Sequence, residues 1–367
     1  MRVGFSDESM MFQLIDQPAP EQMFHENYAF FSGTSEYMAR HFTEFAEQVK
    51  ASDCFNNDDP FVVELGCNDG ILLKNFARSR IRHLGVEPAE NVAAVANDQG
   101  VHTISEFFSE DVAKGILEEY GHADAILAAN VMCHIPDIRN VLAGIRTLLK
   151  PTGIVTFEDP YLGDVVSKTS YDQVYDEHVF LFSAHSVQYL FGLYGMELID
   201  VLPQKTHGGS MRYKLAHAGS YTSRESVSEL LEHEKELGLN KASSFKSFSS
   251  RVQKSREDLV AMLLDLKSKD KTIAGYGATS KSTTILNYCN VGPELIEYIS
   301  DTTPIKQGKF TPGMHIPVKP YDTFQSNPPD YAFLFAWNHA EEIMAKEQGF
   351  MEAGGQWIIH VPEVGVL

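Results

Sequence analysis

Residues 61–76 read FVVELGCNDGILLKNF. A β-prone run leads straight into a glycine-bearing turn, and the turn opens a helical stretch. A strand, turn and helix in that order bring backbone N–H groups to the strand's C-terminal edge, where open α/β sheets take up nucleotides. Three further apolar runs follow, IRHLGVEP from 81, ADAILAANV from 123 and GIVTFEDP from 153, each separated by a helical stretch. That alternation predicts a parallel, doubly wound sheet over 61–165.

Working outward, 36–50 predicts an amphipathic helix with Met38, Phe42, Phe45 and Val49 on one face, within an N-terminal helical and aromatic segment over 1–60. After Pro160 come aromatics and histidines through THGGS to MRYKLAH, a cap or extra strands over 166–222. Residues 223–270 carry leucines at helical spacing and read as a helical connector. A second alternation starts at 271: KTIAGYG as strand, ATSKSTTILNYC as helix, ELIEYISD and YAFLFAW as strands, then QWIIHVPE. The expected fold is therefore α/β, with two alternating domains, 61–165 and 271–367. A length of 367 residues agrees with two domains.

Hydrophobic residues at 43% and charged residues at 22% give an ordinary globular balance, which excludes disordered and low-complexity classes. Thirty basic against fifty acidic side chains leave a net charge of −20, a field that repels nucleic acid and anionic membrane surfaces. One small anion remains admissible, since a helix N-terminus and a few cations can hold it. Cys54, Cys67, Cys133 and Cys289 form no C-x-x-C pair, so neither a zinc ribbon nor a metal site is read, and free thiols in a reducing compartment are expected. Neither a membrane-spanning run nor a secretory leader is recognised, so the expected location is the cytoplasm. No partner protein can be inferred.

The first turn has the spacing G-x-x-x-G through Gly66 and Gly70, with Glu64 before it and Asn68 and Asp69 within it. This differs from the G-x-G-x-x-G that cradles a dinucleotide pyrophosphate. Its acid and amide groups suit a cationic or zwitterionic ligand. Glu87, followed by Pro88, closes the second apolar run, where a carboxylate can accept both ribose hydroxyls. Glu106, Phe107 and Phe108 follow a third strand, where an aromatic ring can stack on a purine. Asn130 and Val131 end the fourth. Together these positions form a nucleoside site without a diphosphate clamp.

E-L-G-x-N-D-G, G-V-E-P, A-N-V-x-x-H-I-P-D and L-L-K-P-x-G, in that order, resemble the class I S-adenosylmethionine methyltransferases. SYDQVYDEHVFLFS, THGGSMR, IAGYGATSKSTTILNYC and IKQGKFTPGMHIP resemble a narrower group, the C-methyltransferases of nucleotide-linked 4-keto deoxysugars, from about Phe24 onward. The resemblance implies a class I methyltransferase Rossmann-like domain plus a second Rossmann-like C-terminal domain, with S-adenosyl-L-methionine in the first and a nucleoside diphosphate-linked keto sugar held by the second. Members of that group open with a cysteine-rich zinc-binding module, for which this sequence has no matching cysteines.

Methylating carbon requires a carbanion, and a proton beside a ketone can be removed if the enolate oxygen is stabilised. Histidine is the natural base near neutral pH. The resemblance carries the roles of base, orienting carboxylate and enolate partner onto His178, Glu177 and Tyr175. Neighbours in a strand face opposite ways, so pairing 177 with 178 requires irregular backbone there. His134, four residues after Asn130, is a candidate for the sugar ketone. Tyr28 resembles the group's substrate-side tyrosine, and Ser32, Thr34 and Ser35 could bond the methionine part of the cofactor. To the sugar nucleotide we assign Tyr161, the THGGS loop (Thr206, His207, Gly208, Gly209 and Ser210) and Arg212 facing phosphate. Around the second glycine turn we add Tyr276, Ser280, Lys281 and Asn287, with Lys281 as counter-charge at a helix start. An O- or N-methyltransferase, or a non-catalytic nucleotide-sugar-binding protein, would use the same folds.

Overall fold

The computed structural model describes all residues except 27, 29, 30 and 35, and residue 34 through its backbone alone. The chain forms two compact units. One comprises Met1–Tyr161, Asp176–Gln204 and Ser210–Asn240. The other comprises Leu162–Tyr175, Lys205–Gly209 and Lys241–Leu367.

The first unit is built on seven strands: β1 (Phe61–Leu65), β2 (Arg82–Val86), β3 (Thr103–Ile104), β4 (Ala123–Ala129), β5 (Leu149–Pro160), β6 (Met196–Gln204) and β7 (Ser210–His217). Their order across the sheet is β3-β2-β1-β4-β5-β7-β6. The first five run parallel, and β7 lies antiparallel to both β5 and β6. Every residue of β1 is buried, as a central strand covered on both faces must be. Val63, Leu65 and Ile126 face one apolar cluster, and Val62, Ala125 and Leu127 face the other. Helix Glu36–Lys50 covers the second face with Phe42, Phe45, Ala46 and Val49. Burying each of the larger of these side chains stabilises the unit by roughly 1.5–3 kcal/mol.

The segment 166–222 supplies β6 and β7, the last two strands of this sheet, rather than a separate cap. A hairpin of Val3–Phe5 and Phe12–Leu14 adds a strand, Phe180–Leu181, from far along the chain. Strands of two or three residues are too short to show a period in sequence. The connector divides at Gly238, which has φ +71°, into helix Glu225–Glu236 of the first unit and Ala242–Ser268 of the second.

The second unit's sheet comprises β8 (Ile273–Tyr276), β9 (Ile299–Asp301), β10 (Val318–Pro320), β11 (Tyr331–Leu334), β12 (Gln356–Ile359) and β13 (Gly365–Val366), in the order β10-β9-β8-β11-β12-β13. Its first five strands are parallel and repeat the order of the first five in unit one. Only the end of ELIEYISD is strand, because the N–H groups of Leu295 and Ile296 bond back to the Gly292 carbonyl as a turn. YAFLFAW leaves the sheet after Leu334, and Trp337–His339 forms a short 3-10 turn. Among the described residues, no helix is long and apolar enough to cross a membrane.

Candidate active site

The turn after β1 is shaped by close approach. Gly66 has φ +61°, and a Cβ there would collide with Val131 at the end of β4, so the two strand ends meet only because residue 66 has no side chain. The Gly66 N–H bonds to the Val86 carbonyl at 2.7 Å, drawing the turn onto the end of β2. There Glu87 accepts the N–H of Asn68 at 2.9 Å and that of Ala89 at 3.0 Å. Asp69 accepts the N–H of Gly33 at 2.7 Å, and the Asn68 amide oxygen accepts that of Ser32 at 3.0 Å. The Ser32–Thr34 turn is thereby hung over the glycine turn. Ser35 lies outside the described residues.

Among the described residues, three acceptors at these strand ends are buried with no partner: Glu64 Oε2, Asp69 Oδ1 and Asn130 Oδ1. Burial pushes the Glu64 carboxyl well above its ordinary value and raises Glu87 as well. Orphaned carboxylate and amide oxygens are costly unless a ligand donates to them. S-adenosylmethionine, with its ammonium, sulfonium and ribose hydroxyls, has the donors and positive charge this set lacks. Glu106 to Phe108 follow β3. Phe108 packs where any Gly144 side chain would sit, whereas Phe107 is 41% exposed.

Beyond Asn130, whose φ is +57°, a short 3-10 turn Met132–His134 carries the chain across the sheet edge. Asp159 at the end of β5, wholly buried, accepts the N–H of Val131 at 3.1 Å and of Cys133 at 3.0 Å. His134 stacks on Phe24 with ring centroids 5.9 Å apart, and its centroid lies 5.3 Å from that of His178. Burial pushes the His134 imidazole down to about 4, so the ring is neutral at physiological pH. Among the described residues, its Nε2 is buried without a partner. Residues 174–179 are turn and coil, the irregular backbone that placing Glu177 beside His178 requires. The Leu14 N–H holds the Val179 carbonyl at 2.8 Å, which ties the His178 backbone to the N-terminal hairpin. Burial raises the Glu177 carboxyl, with Asp176 adding to the effect. Burial likewise raises the Tyr28 phenol, and the charges of Glu177 and Glu87 reinforce the shift. Tyr175 belongs by chain position to the second unit.

Arg212 is not turned toward a phosphate. It is 2% exposed, its Nε and Nη2 meet Glu158 at 3.0 and 2.7 Å, its Nη1 donates to Gln48, and its guanidinium lies 3.8 Å from the Phe45 ring centre. That arrangement is a strut beneath helix Glu36–Lys50. Tyr161 is likewise 5% exposed within the first unit's core. Ser210 opens β7 and is fully buried.

In the second unit, Gly277 at φ +89° bonds its N–H to the Ser300 carbonyl at 2.8 Å, as Gly66 does to Val86. Asp301, ending β9, accepts the N–H of Ala278 at 2.7 Å and of Thr303 at 2.8 Å. The carboxylate therefore repeats the position of Glu87, and sequence reasoning missed it although D follows ELIEYIS directly. Lys281 is buried, donates to Asn338 Oδ1 at 3.1 Å and stands 5.3 Å from the Trp337 ring centre. Burial lowers its pKa and the Asp172 charge opposes that shift. Asp172 in turn accepts the Trp337 indole N–H at 2.6 Å and faces His360 Nε2 at 3.4 Å. The THGGS loop closes on this group: any side chain at Gly208 would enter the Trp337 ring, one at Gly209 would meet Asp164, and Gln173 donates to the His207 carbonyl. Thr206 is buried at its base. Tyr276 points away into the core, where its hydroxyl bonds Glu347 at 2.8 Å. Asn287 bridges the Thr283 and Pro312 carbonyls, and Ser280 is exposed at the helix start.

A sheet ordered β3-β2-β1-β4-β5-β7-β6 with β7 reversed, with its unsatisfied acceptors gathered at the ends of β1 and β4, defines a class I S-adenosylmethionine-dependent methyltransferase. Residues 31–201 match the methyltransferase domain family, and 205–362 match the C-methyltransferase C-terminal domain. The chain is 37% identical over 311 residues to the C-methyltransferase NovU of Streptomyces niveus, spanning 84% of this chain and 74% of that enzyme. It is also 27% identical over 150 residues to a ubiquinone biosynthesis O-methyltransferase of Acinetobacter baylyi, spanning 40% of this chain and 54% of that one. A solved magnesium protoporphyrin IX methyltransferase of Synechocystis, with S-adenosylmethionine bound in that structure, shares 11% identity over 49% of this chain and 79% of its own, with a TM-score of 0.38. The protein belongs to the C-methyltransferase family, and its cofactor is S-adenosylmethionine.

Proposed function

We propose that this enzyme methylates C3 of a nucleoside diphosphate-linked deoxysugar, the carbon beside a C4 ketone. The observation that carries the reading is the pairing of His178 with His134, ring centroids 5.3 Å apart. A base and a hydrogen-bonding imidazole side by side are what proton removal next to a carbonyl needs: one takes the proton and the other bonds the oxygen that becomes negative. Bound against Glu64, Asn68, Asp69 and Glu87, S-adenosylmethionine supplies an electrophilic methyl.

His178 removes the C3 proton, with Glu177 and Tyr175 assigned to orient the base and the enolate. The neutral His134 ring serves the ketone oxygen, and Tyr28 lines the substrate side. In the second unit, Lys281 with the THGGS loop, the turn from Tyr276 to Ser280, and Asp301 serve the sugar nucleotide. The test is incubation of purified enzyme with cofactor and candidate 4-keto sugar nucleotides, reading the methylated position by NMR. A new carbon-bound methyl beside the ketone is expected. Methyl on oxygen or nitrogen, or binding without turnover, would overturn the reading.

A further inference from the structure

Among the described residues, one group brings together three side chains with metal-ligand chemistry: Cys133, His134 and His178. Its sulfur and one nitrogen from each ring lie within 4.8 Å of one another. We propose that these three residues chelate a divalent cation of the zinc class, in competition with catalysis.

The donor set decides the class of ion. One thiolate and two imidazoles suit Zn²⁺ and its near relatives, whereas Mg²⁺ and Ca²⁺ require oxygen ligands. Around tetrahedral zinc, bonds of about 2.0–2.3 Å place donor atoms about 3.3–3.8 Å apart. A set already within 4.8 Å closes to that spacing by side-chain rotation of an ångström or so. Two further features prepare it. Among the described residues, His134 Nε2 is buried without a hydrogen-bond partner, so turning inward breaks no bond to any of them. Asp159 Oδ2 holds the Cys133 N–H at 3.0 Å and fixes the backbone that carries the thiol, the kind of outer support that metal ligands use.

Coordination releases the Cys133 thiol proton to solvent and breaks no other covalent bond. Three protein ligands leave a fourth position open to water or to a substrate oxygen. The bound cation also takes the lone pair with which His178 would accept a proton. Zinc therefore inhibits, and that half of the inference rests on the reading of His178 as the base; the chelate itself does not.

The experiment titrates the intact enzyme with Co²⁺ as a spectroscopic probe for Zn²⁺, with dialysis to count bound zinc. The wild type should develop a thiolate-to-cobalt charge-transfer band with the intense visible bands of a tetrahedral site. Cys133→Ser should lose the charge-transfer band, keep turnover, and require about tenfold more zinc, or beyond, for half-inhibition. His134→Asn should weaken the visible bands. Thermal melts of all variants confirm folding, and the wild-type spectrum stands whether or not a variant folds. No charge-transfer band in the wild type, or an unchanged band in folded Cys133→Ser, would overturn the site. Zinc that binds through Cys133 while leaving turnover intact would instead remove His178 from the role of base and leave the chelate standing.

Discussion

Asp159 holds Cys133 by its backbone, carboxylate oxygen to N–H at 3.0 Å, and holds Val131 with its other oxygen at 3.1 Å. The end of β5 thus fixes the turn between Asn130, at the end of β4, and His134, beside His178. Burial pushes the Asp159 carboxyl up to about 8, against the pull of those N–H bonds.

Replacing Asp159 by Ala leaves the buried N–H of Cys133 without its acceptor, at about 1–3 kcal/mol, and the part-buried N–H of Val131 as well, at less. Asp159→Ala should lose about 2–4 kcal/mol of stability in urea unfolding, and Asp159→Asn less, since an amide oxygen can serve one of the two. A loss below about 1 kcal/mol for the alanine variant would show that the turn is held by other bonds.

The buried network of Glu158, His41 and Arg212 makes stability depend on pH. Burial by itself would raise the Glu158 carboxyl, but the His41 hydrogen bond and the Arg212 charge outweigh it and hold the group down to about 2 from 4.5. A depressed carboxylate stabilises the fold fully above its unfolded value and loses that contribution as pH falls toward its folded value. The stability gap between wild type and Glu158→Gln should therefore be full at neutral pH, on the order of 3 kcal/mol, and shrink between about pH 4.5 and 2. Melting both proteins across that range checks it. A gap constant with pH would mean that charge is not what Glu158 contributes.

Much of this was legible in sequence because it was local. FVVELGCNDGILLKNF shows its strand, turn and helix start within sixteen residues, and 36–50 shows its buried face through a 3.6-residue period. What sequence could not reveal depends on partners far along the chain. Arg212 reads as an exposed cation until Glu158, fifty-four residues earlier, is seen to hold it. Tyr276 sits in the second glycine turn, yet its hydroxyl is claimed by Glu347. Asp172, Trp337 and His360 carry no local signature and meet only when the second unit folds. Asp301 was within reach: a carboxylate ending the strand after a glycine turn is the signal that identified Glu87.

Because Glu87 and Asp301 occupy equivalent places, exchanging each should separate the two ligands. Glu87→Gln should weaken S-adenosylhomocysteine binding about tenfold and leave nucleoside diphosphate affinity unchanged, while Asp301→Asn should do the reverse. Isothermal calorimetry on each variant with each ligand gives the four values. Equal losses for both ligands in either variant would mean that the carboxylate only braces its turn.

Gly208 should tolerate no side chain. Its φ is +86°, and a methyl there would enter the Trp337 ring. Gly208→Ala should cost about 1–3 kcal/mol and displace the indole from Asp172. In a Trp357→Phe background, where Trp337 is the remaining indole, its emission should shift to the red on that displacement. An unchanged spectrum and melt would place the loop elsewhere in solution.

The final prediction concerns His178, where the proposed chemistry stands or falls. Carbon cannot attack a methyl group until its proton has gone, so loss of the base should stop turnover without stopping binding. His178→Asn should keep its fold and its affinity for S-adenosylhomocysteine, yet lose about a hundredfold or more in kcat, the usual size of a general-base contribution. Glu177→Gln should lose the same or less, and the double variant little more than His178→Asn, because the two act on one proton transfer. Solvent exchange isolates the step. In heavy water with S-adenosylhomocysteine bound, so that no methyl can be transferred, the wild type should wash deuterium into the carbon beside the ketone, and His178→Asn should not. Equal exchange by both proteins would move the base to His134, whose ring centroid lies 5.3 Å away. Exchange lost in both His178→Asn and His134→Asn, with substrate still bound, is the expected pattern if one ring takes the proton and its neighbour steadies the oxygen.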